Sequence, residues 1–115
     1  MHKGHKPFVY WVVLASALRL SSSAPAVQEQ NLLILNSYHQ GYQWTDDETQ
    51  GALAGLGGQK DRINIYIEYM GTKWAYDDAY LKQLGEVYKR KFSNVKFDAI
   101  LSTDNDAFNF LRQYR

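Results

Sequence analysis

The sequence contains no cysteine, which excludes a disulfide framework, thiolate chemistry and a lipid-modified cysteine after a leader. No glycine-rich phosphate loop follows a predicted strand, because the glycines of residues 55–58 fall at a predicted helix end. Two of the three histidines lie in the first 26 residues, so His39 stands alone and no Ser-His-Asp arrangement can be argued. We therefore predict that the chain is not an enzyme and has no catalytic residues, metal ligands or cofactor.

The chain also lacks a marked excess of positive charge. It has 13 Lys and Arg against 12 Asp and Glu, for a net charge of +1. Three of the basic residues and none of the acidic ones lie in residues 1–26, so ten against twelve gives −2 for the remainder. Nucleic-acid-binding domains typically show a basic patch. The basic cluster at residues 89–91 is more simply explained as a solvated helix end, so we expect no nucleic-acid partner.

The first 26 residues differ from the rest of the chain. A basic start precedes the apolar segment 8–18, and small residues follow at 21–26 with alanines in the A-x-A positions. This layout predicts that residues 1–26 are a secretory signal peptide, cleaved after Ala26, and that the protein is periplasmic or otherwise extracytoplasmic. The apolar segment is shorter than the roughly 20 residues of a membrane span. An uncleaved amphipathic or anchoring segment is the alternative, and Arg19 is unusual for a leader.

Three strand–helix units are predicted in residues 27–115. The strands are 32–37, 62–70 and 97–103, and the first and third contain continuous apolar runs, whereas the second alternates apolar and polar residues. Alternating strands and helices predict a parallel sheet with right-handed crossovers. The alternating strand suits an outer position, which gives the order 2-1-3 of a flavodoxin-like, Rossmann-like α/β fold with helices on both faces.

Helix starts are predicted from side chains that can cap them. Thr45 and Glu48 match a capping box at the start of the first helix. Asp77 or Asp78 is expected to cap the second helix, and Asp104 the third.

Three strands give little cover to a sheet that is apolar on both faces. The third strand should have a further neighbour on its outer side, because an unpaired apolar edge is prone to aggregation. We therefore expect residues 27–115 to be an incomplete domain, either a truncated product or a fragment, that is poorly stable by itself.

Polar and aromatic side chains follow each predicted strand. In open parallel sheets, ligands bind in the crevice beyond the carboxyl ends of the strands. Tyr42 and Trp44 could stack on a ligand or pack over the core, Lys73 could pair with an anionic group or be solvated, and Asp104 could bind an amine or hydroxyl or only cap a helix. The candidate ligand-binding residues are Ser37, Tyr38, His39, Tyr42, Trp44, Thr72, Lys73, Thr103 and Asp104.

Segments at the three strand ends also carry a family resemblance. They are Leu35-Asn36-Ser37-Tyr38-His39 with Gly41-Tyr42-x-Trp44-Thr45, Glu68-Tyr69-Met70-x-Thr72-Lys73, and Phe97-Asp98-x-Ile100 leading to Thr103-Asp104-x-Asp106-Ala107. Residues 33–115 thus resemble the N-terminal lobe of the periplasmic binding protein type I superfamily, in its ABC-transporter substrate-binding-like branch. That branch also includes extracytoplasmic sensor domains of bacterial histidine kinases and diguanylate cyclases. Gly71 departs from the branch, which often has an acid there.

The resemblance implies a cleft between two lobes that closes on a small solute. The implied partners are that solute, a second lobe that is absent here, and either a transporter permease or the kinase or cyclase modules of a membrane sensor. The resemblance does not separate the transporter subunit from the sensor domain in signal transduction.

An enzyme or phospho-acceptor domain is the alternative function. Asp46 and Asp47 together with Asp104 and Asp106 could form an acidic Mg²⁺ site in a flavodoxin-like or receiver-like sheet, because hard cations prefer oxygen ligands. The predicted helix start already explains the first two of these residues. A receiver's acidic residues would come earlier, where this chain has Asn36.

Overall fold

The computed structural model describes residues 29–114, in which three strands alternate with three α-helices. The predicted signal peptide lies outside these residues. None of the helices described combines the length and apolar character needed to cross a bilayer. The elements are β1 (Gln30–Asn36), α1 (Gln43–Leu56), a 3-10 helix (Gly57–Arg62), β2 (Ile63–Tyr69), α2 (Asp78–Lys91), β3 (Ala99–Thr103) and α3 (Asp104–Tyr114).

The three strands form one parallel sheet in the order β2-β1-β3. This confirms the predicted α/β, flavodoxin-like arrangement, in which the continuously apolar β1 is central and the alternating β2 lies outside. Asn36, the last residue of β1, pairs with both Tyr69 and Thr103. The register therefore brings the carboxyl ends of all three strands to the same level.

Successive residues of β1 face opposite layers of helices. Leu33 and Leu35 belong to a buried cluster with Met70, Ala107 and Phe110, so this face of the sheet packs against α2 and α3. Asn36 points to the other face, where its side chain bonds to α1. A strand buried between two helical layers needs apolar side chains at both alternating sets of positions, which explains the continuous apolar run.

A glycine in α2 permits close packing of the two helices on the same face. A Cβ atom at Gly85 would lie 3.1 Å from the Tyr114 ring, tighter than ordinary van der Waals contact. Tyr114 in turn stacks on Phe110, with ring centroids 4.9 Å apart. The missing side chain offsets the low helix propensity of glycine by allowing aromatic side chains of α3 to approach α2.

The starts of the helices follow the sequence signals only in part. Asp77 accepts a hydrogen bond from the Tyr80 amide at 2.7 Å, which confirms the predicted cap of α2. The capping box was wrong: α1 begins at Gln43, its N-cap Tyr42 makes no side-chain cap, and Thr45 is buried within the first turn. The turn at residues 39–42, in which the Tyr42 amide bonds to the His39 carbonyl, starts the helix earlier than expected.

Within the described residues, β3 has no neighbour on its outer side. Ile100 and Leu101 are 39% and 42% exposed although they point to opposite faces of the sheet, and Phe108 of α3 is also exposed. A groove of about 680 Å³ runs along this edge. The exposure is compatible with the predicted further neighbour, which stays a prediction.

Candidate functional site

Ser37 joins three elements at the carboxyl edge of the sheet. It is fully buried, and its hydroxyl donates to the Thr103 carbonyl at 2.6 Å while accepting from the Ala107 amide at 2.8 Å. The second bond supplies a partner for an amide in the first turn of α3, where helices leave N–H groups unsatisfied. Ser37, predicted as a ligand contact, thus ties β1 to β3 and α3.

Thr72 makes the corresponding link from β2. Its amide donates to the Ser37 carbonyl at 2.9 Å, and its hydroxyl lies 2.9 Å from the same carbonyl and 2.6 Å from an Asp106 carboxylate oxygen. A hydroxyl has one proton, so it donates to one of these acceptors at a time. The segments that follow all three strands are therefore linked directly, as the parallel sheet predicts.

Asn36 connects the layer beneath this edge. Its side-chain oxygen accepts from the Thr49 hydroxyl at 3.2 Å and from the Thr103 hydroxyl at 2.9 Å, and all three residues are buried. Buried polar groups must be hydrogen-bonded to avoid a desolvation cost. This network holds α1 and β3 against β1, directly below the candidate site.

Aromatic side chains lie above this polar layer. His39 stacks on Trp74, with ring centroids 4.0 Å apart and an angle of 17° between the planes. Tyr38 and Tyr42 meet edge to face at 5.7 Å. The stack joins the loop after β1 to the loop after β2, so these loops form one surface at the carboxyl edge.

The ammonium group of Lys73 lies on this surface. Its Nζ atom is 4.5 Å from the centroid of the Tyr38 ring and 4.9 Å from that of Tyr42, within the range of cation–π attraction. Both Lys73 and Tyr42 are exposed. The structure thus gives Lys73 a defined position between two rings rather than a place in open solvent.

Trp44 and Asp104 meet across the site from different elements. The Trp44 indole N–H donates to the Asp104 carboxylate at 3.1 Å, although Trp44 is 58% exposed. Asp104 has a φ of 66°, a left-handed conformation that costs most non-glycine residues about 1–3 kcal/mol. It is the first residue of α3, and the Ser37 hydroxyl, not the Asp104 side chain, bonds to the Ala107 amide. The predicted cap is therefore replaced by Ser37, which follows β1.

A second carboxyl group, from Glu48 of α1, lies beside Asp104. Burial, the largest cause, and the charge of the Asp104 carboxylate raise the pKa of Glu48. One oxygen of each carboxyl group is buried without a hydrogen-bond partner in residues 29–114. Glu48 was predicted to cap α1, and the structure places it in the candidate site instead.

The raised pKa of Glu48 predicts a pH-dependent stability. A carboxyl group that binds its proton more tightly in the folded chain favours folding below its unfolded pKa, near 4.5, and this contribution is lost as the pH rises through the folded pKa. As the pH rises through this range, we expect the Glu48→Gln variant to lose less unfolding free energy than the unmodified protein. Urea unfolding at a series of pH values measures the difference. Glu86→Gln, at an exposed position of α2, is the control. Parallel pH profiles for the Glu48→Gln variant and the unmodified protein would contradict the assignment.

Together, the nine predicted residues lie at the carboxyl edge of the sheet, where Ser37, Thr72 and Thr103 are buried beneath the other six. We call this region the strand-end rim. The structure adds four residues to it that were not among the candidates. Trp74 and Asp106 follow strand ends and were detectable by the rule that found the others. Tyr76 and Glu48 had no such signal. Tyr76 is 48% exposed, and its partial burial and the charge of the nearby Asp106 raise its pKa. Glu48 reaches the rim only through the packing of α1.

The strand-end rim is an open surface. The groove beside β3 and a cavity of about 620 Å³ between α2 and α3 are both lined by other residues. Tyr42, Trp44 and Trp74 are 36%, 58% and 75% exposed, so the rim presents its aromatic side chains to solvent.

The Mg²⁺ site of the alternative hypothesis is not assembled in the described part of the chain. Asp46 accepts from the Gly41 backbone amide at 3.1 Å and Asp47 from the Gln43 side-chain amide at 2.7 Å, so both stabilise the start of α1. Residues 29–114 contain no group of three or more His, Asp or Glu residues arranged to hold a metal ion. The acidic residues of the hypothesis thus have other partners.

Comparisons with known protein families, with curated proteins and with solved structures found no match to this chain.

Proposed function

We propose that residues 29–114 form a domain that binds a small solute outside the cytoplasm, in a substrate-binding protein of an ABC transporter or in the sensor domain of a signalling protein. The observation that carries the proposal is the meeting of three strand ends at one level, where Ser37, Thr72 and Thr103 are linked by hydrogen bonds. Open parallel sheets bind their ligands at this edge. The extracytoplasmic location rests on the predicted signal peptide.

The side chains of the rim have the composition of a ligand site. Binding sites combine apolar walls with a few fixed polar groups. The buried hydrogen bonds of Ser37 and Thr72 fix the polar layer. Trp44 and Trp74 are 58% and 75% exposed. Indole rings that are held in place and largely exposed can stack on a flat or apolar ligand surface.

The openness of the rim fits the function that the resemblance implies. In a two-lobed binding protein the second lobe closes over the ligand, so one lobe alone presents only part of the pocket. We propose that such a lobe would contact the exposed aromatic side chains of Tyr42, Trp44 and Trp74, with the solute between them.

Thermal unfolding of the protein in the presence of a panel of small neutral, anionic and cationic solutes tests this function. A solute that binds only the folded chain stabilises it by about 2.7 kcal/mol at a hundred times its dissociation constant. We expect at least one solute to raise the melting temperature, and we expect Trp44→Ala to reduce that shift. Phe108→Ala removes an equally exposed aromatic ring from α3, away from the rim, and should leave the shift unchanged. A shift that survives Trp44→Ala would assign Trp44 a structural role, and the absence of any shift would contradict the proposal.

A further inference from the structure

Two tyrosine rings of the strand-end rim already hold a cation. Tyr38 and Tyr42, which we call the tyrosine pair, meet edge to face and direct their rings to one point, where the Lys73 ammonium lies less than 5 Å from both centroids. Aromatic faces attract ammonium groups through the negative charge of the π system. The protein thus shows with its own side chain what kind of group the tyrosine pair accepts.

The charges around the tyrosine pair favour a cation as well. Burial and the charges of Asp104 and Asp106 raise the pKa of the Tyr38 phenol, while the charge of Lys73 lowers it. Two carboxylates therefore act on this tyrosine together with one ammonium group. Glu48 adds a third carboxyl group beside Asp104.

The cation–π contacts of Lys73 are weak enough for a competing ligand to replace them. Lys73 is exposed, and the ion pair found in residues 29–114 joins Lys91 to Glu68 on another part of the surface. An exposed ammonium that leaves an aromatic face regains water, so its displacement costs little.

We propose that the strand-end rim recognises a cationic solute, and that an ammonium group of this solute takes the place of Lys73 on the tyrosine pair. The inference rests on the proposed function and names the class of its ligand. Lys73 then acts as an internal competitor that occupies the site until the solute arrives. The carboxylates of Asp104 and Asp106 supply the opposite charge.

Replacing Lys73 tests the proposal, because the direction of the change in binding affinity distinguishes two roles for this residue. If Lys73 competes with a cation, its removal strengthens binding, whereas if Lys73 is the contact for an anionic solute, its removal weakens binding. The probe is tetramethylammonium chloride, followed by the tryptophan fluorescence of the protein, with sodium chloride at equal ionic strength as the reference.

We expect Lys73→Met to bind the probe about two to five times more tightly than the unmodified protein, and Tyr42→Leu to bind it two to five times more weakly, as the strength of exposed cation–π contacts implies. Lys73→Arg retains the competing charge and should bind like the unmodified protein. Far-ultraviolet circular dichroism checks that each variant is folded. Phe108→Ala again serves as the control away from the rim.

Weaker or unchanged binding by Lys73→Met would overturn the proposal, as would tighter binding of acetate than of tetramethylammonium. These outcomes are distinct from a failure of the proposed function. If neutral or anionic solutes of the thermal-shift panel bind and tetramethylammonium does not, the cationic ligand class is wrong and the solute-binding function stands. If no solute of any charge binds, both fail.

Discussion

We expect the Leu35→Ala variant to lose about 2–5 kcal/mol of unfolding free energy, the cost of removing a large side chain from a packed core. Leu35 is 1% exposed and lies on the central strand, where it contacts the cluster formed with Met70, Ala107 and Phe110. The lost side chain leaves a cavity between the sheet and two helices, which the surrounding strands cannot close without breaking their register. Urea unfolding of the unmodified and variant proteins measures the difference.

Leu101→Ala is the matched control for this prediction. Leu101 also lies on a strand of the same sheet, but β3 is at the edge and its side chain is 42% exposed. We expect a smaller loss, of about 1–2 kcal/mol, because only part of this side chain leaves water on folding. Equal losses at the two leucines would contradict the assignment of Leu35 to the core centre and would indicate that the outer side of β3 is covered in solution.

The second large effect is expected at Ser37. The Ser37→Ala variant leaves the Thr103 carbonyl and the Ala107 amide without their buried partner, and each such loss costs about 1–3 kcal/mol. We expect a total loss of about 2–6 kcal/mol, measured by urea unfolding. The amide hydrogen of Ala107 should also exchange faster with solvent, because its hydrogen bond comes from Ser37.

Ser93→Ala distinguishes this effect from a general response to serine replacement. Ser93 is exposed in the loop after α2, and its change should be within about 0.5 kcal/mol of neutral. If Ser37→Ala were equally mild, or if the Ala107 amide kept its protection, the Ser37 hydroxyl would not be the link between β1 and α3.

The sheet could be predicted because its order depends on patterns that are local in sequence. A continuously apolar run such as residues 32–35 has to be covered on both faces, and this places β1 in the centre. The alternation in β2 indicates a strand that is less fully covered. The exact strand ends differ from the prediction by one or two residues, since pairing rather than composition sets them.

The burial of the first turns of α1 could not be predicted, because it depends on contacts between distant residues. Thr45 was predicted to cap the helix, but both Thr45 and Thr49 are buried. Thr49 is satisfied by Asn36, thirteen residues earlier on β1. The burial of such a polar residue depends on a partner elsewhere in the chain, so the sequence around the residue does not reveal it.

The candidate site was predictable in location and less so in the roles of its residues. The strand-end rule places Ser37, Thr72 and Thr103 together, and their hydrogen bonds agree. It does not distinguish side chains that hold the edge together from those that face outward, because this depends on burial. Glu48 reaches the rim through the packing of a helix, which no rule of spacing describes.

The division within the strand-end rim has a consequence for how the protein can change. Ser37 and Thr72 are buried and hydrogen-bonded to backbone at the end of the sheet. Tyr42, Trp44 and Lys73 are exposed and make few of the contacts that stabilise the fold. New preferences can therefore arise by exchange of the outer three while the inner two stay as they are. A lineage or a laboratory library confined to the outer positions would explore ligand chemistry at little risk to folding.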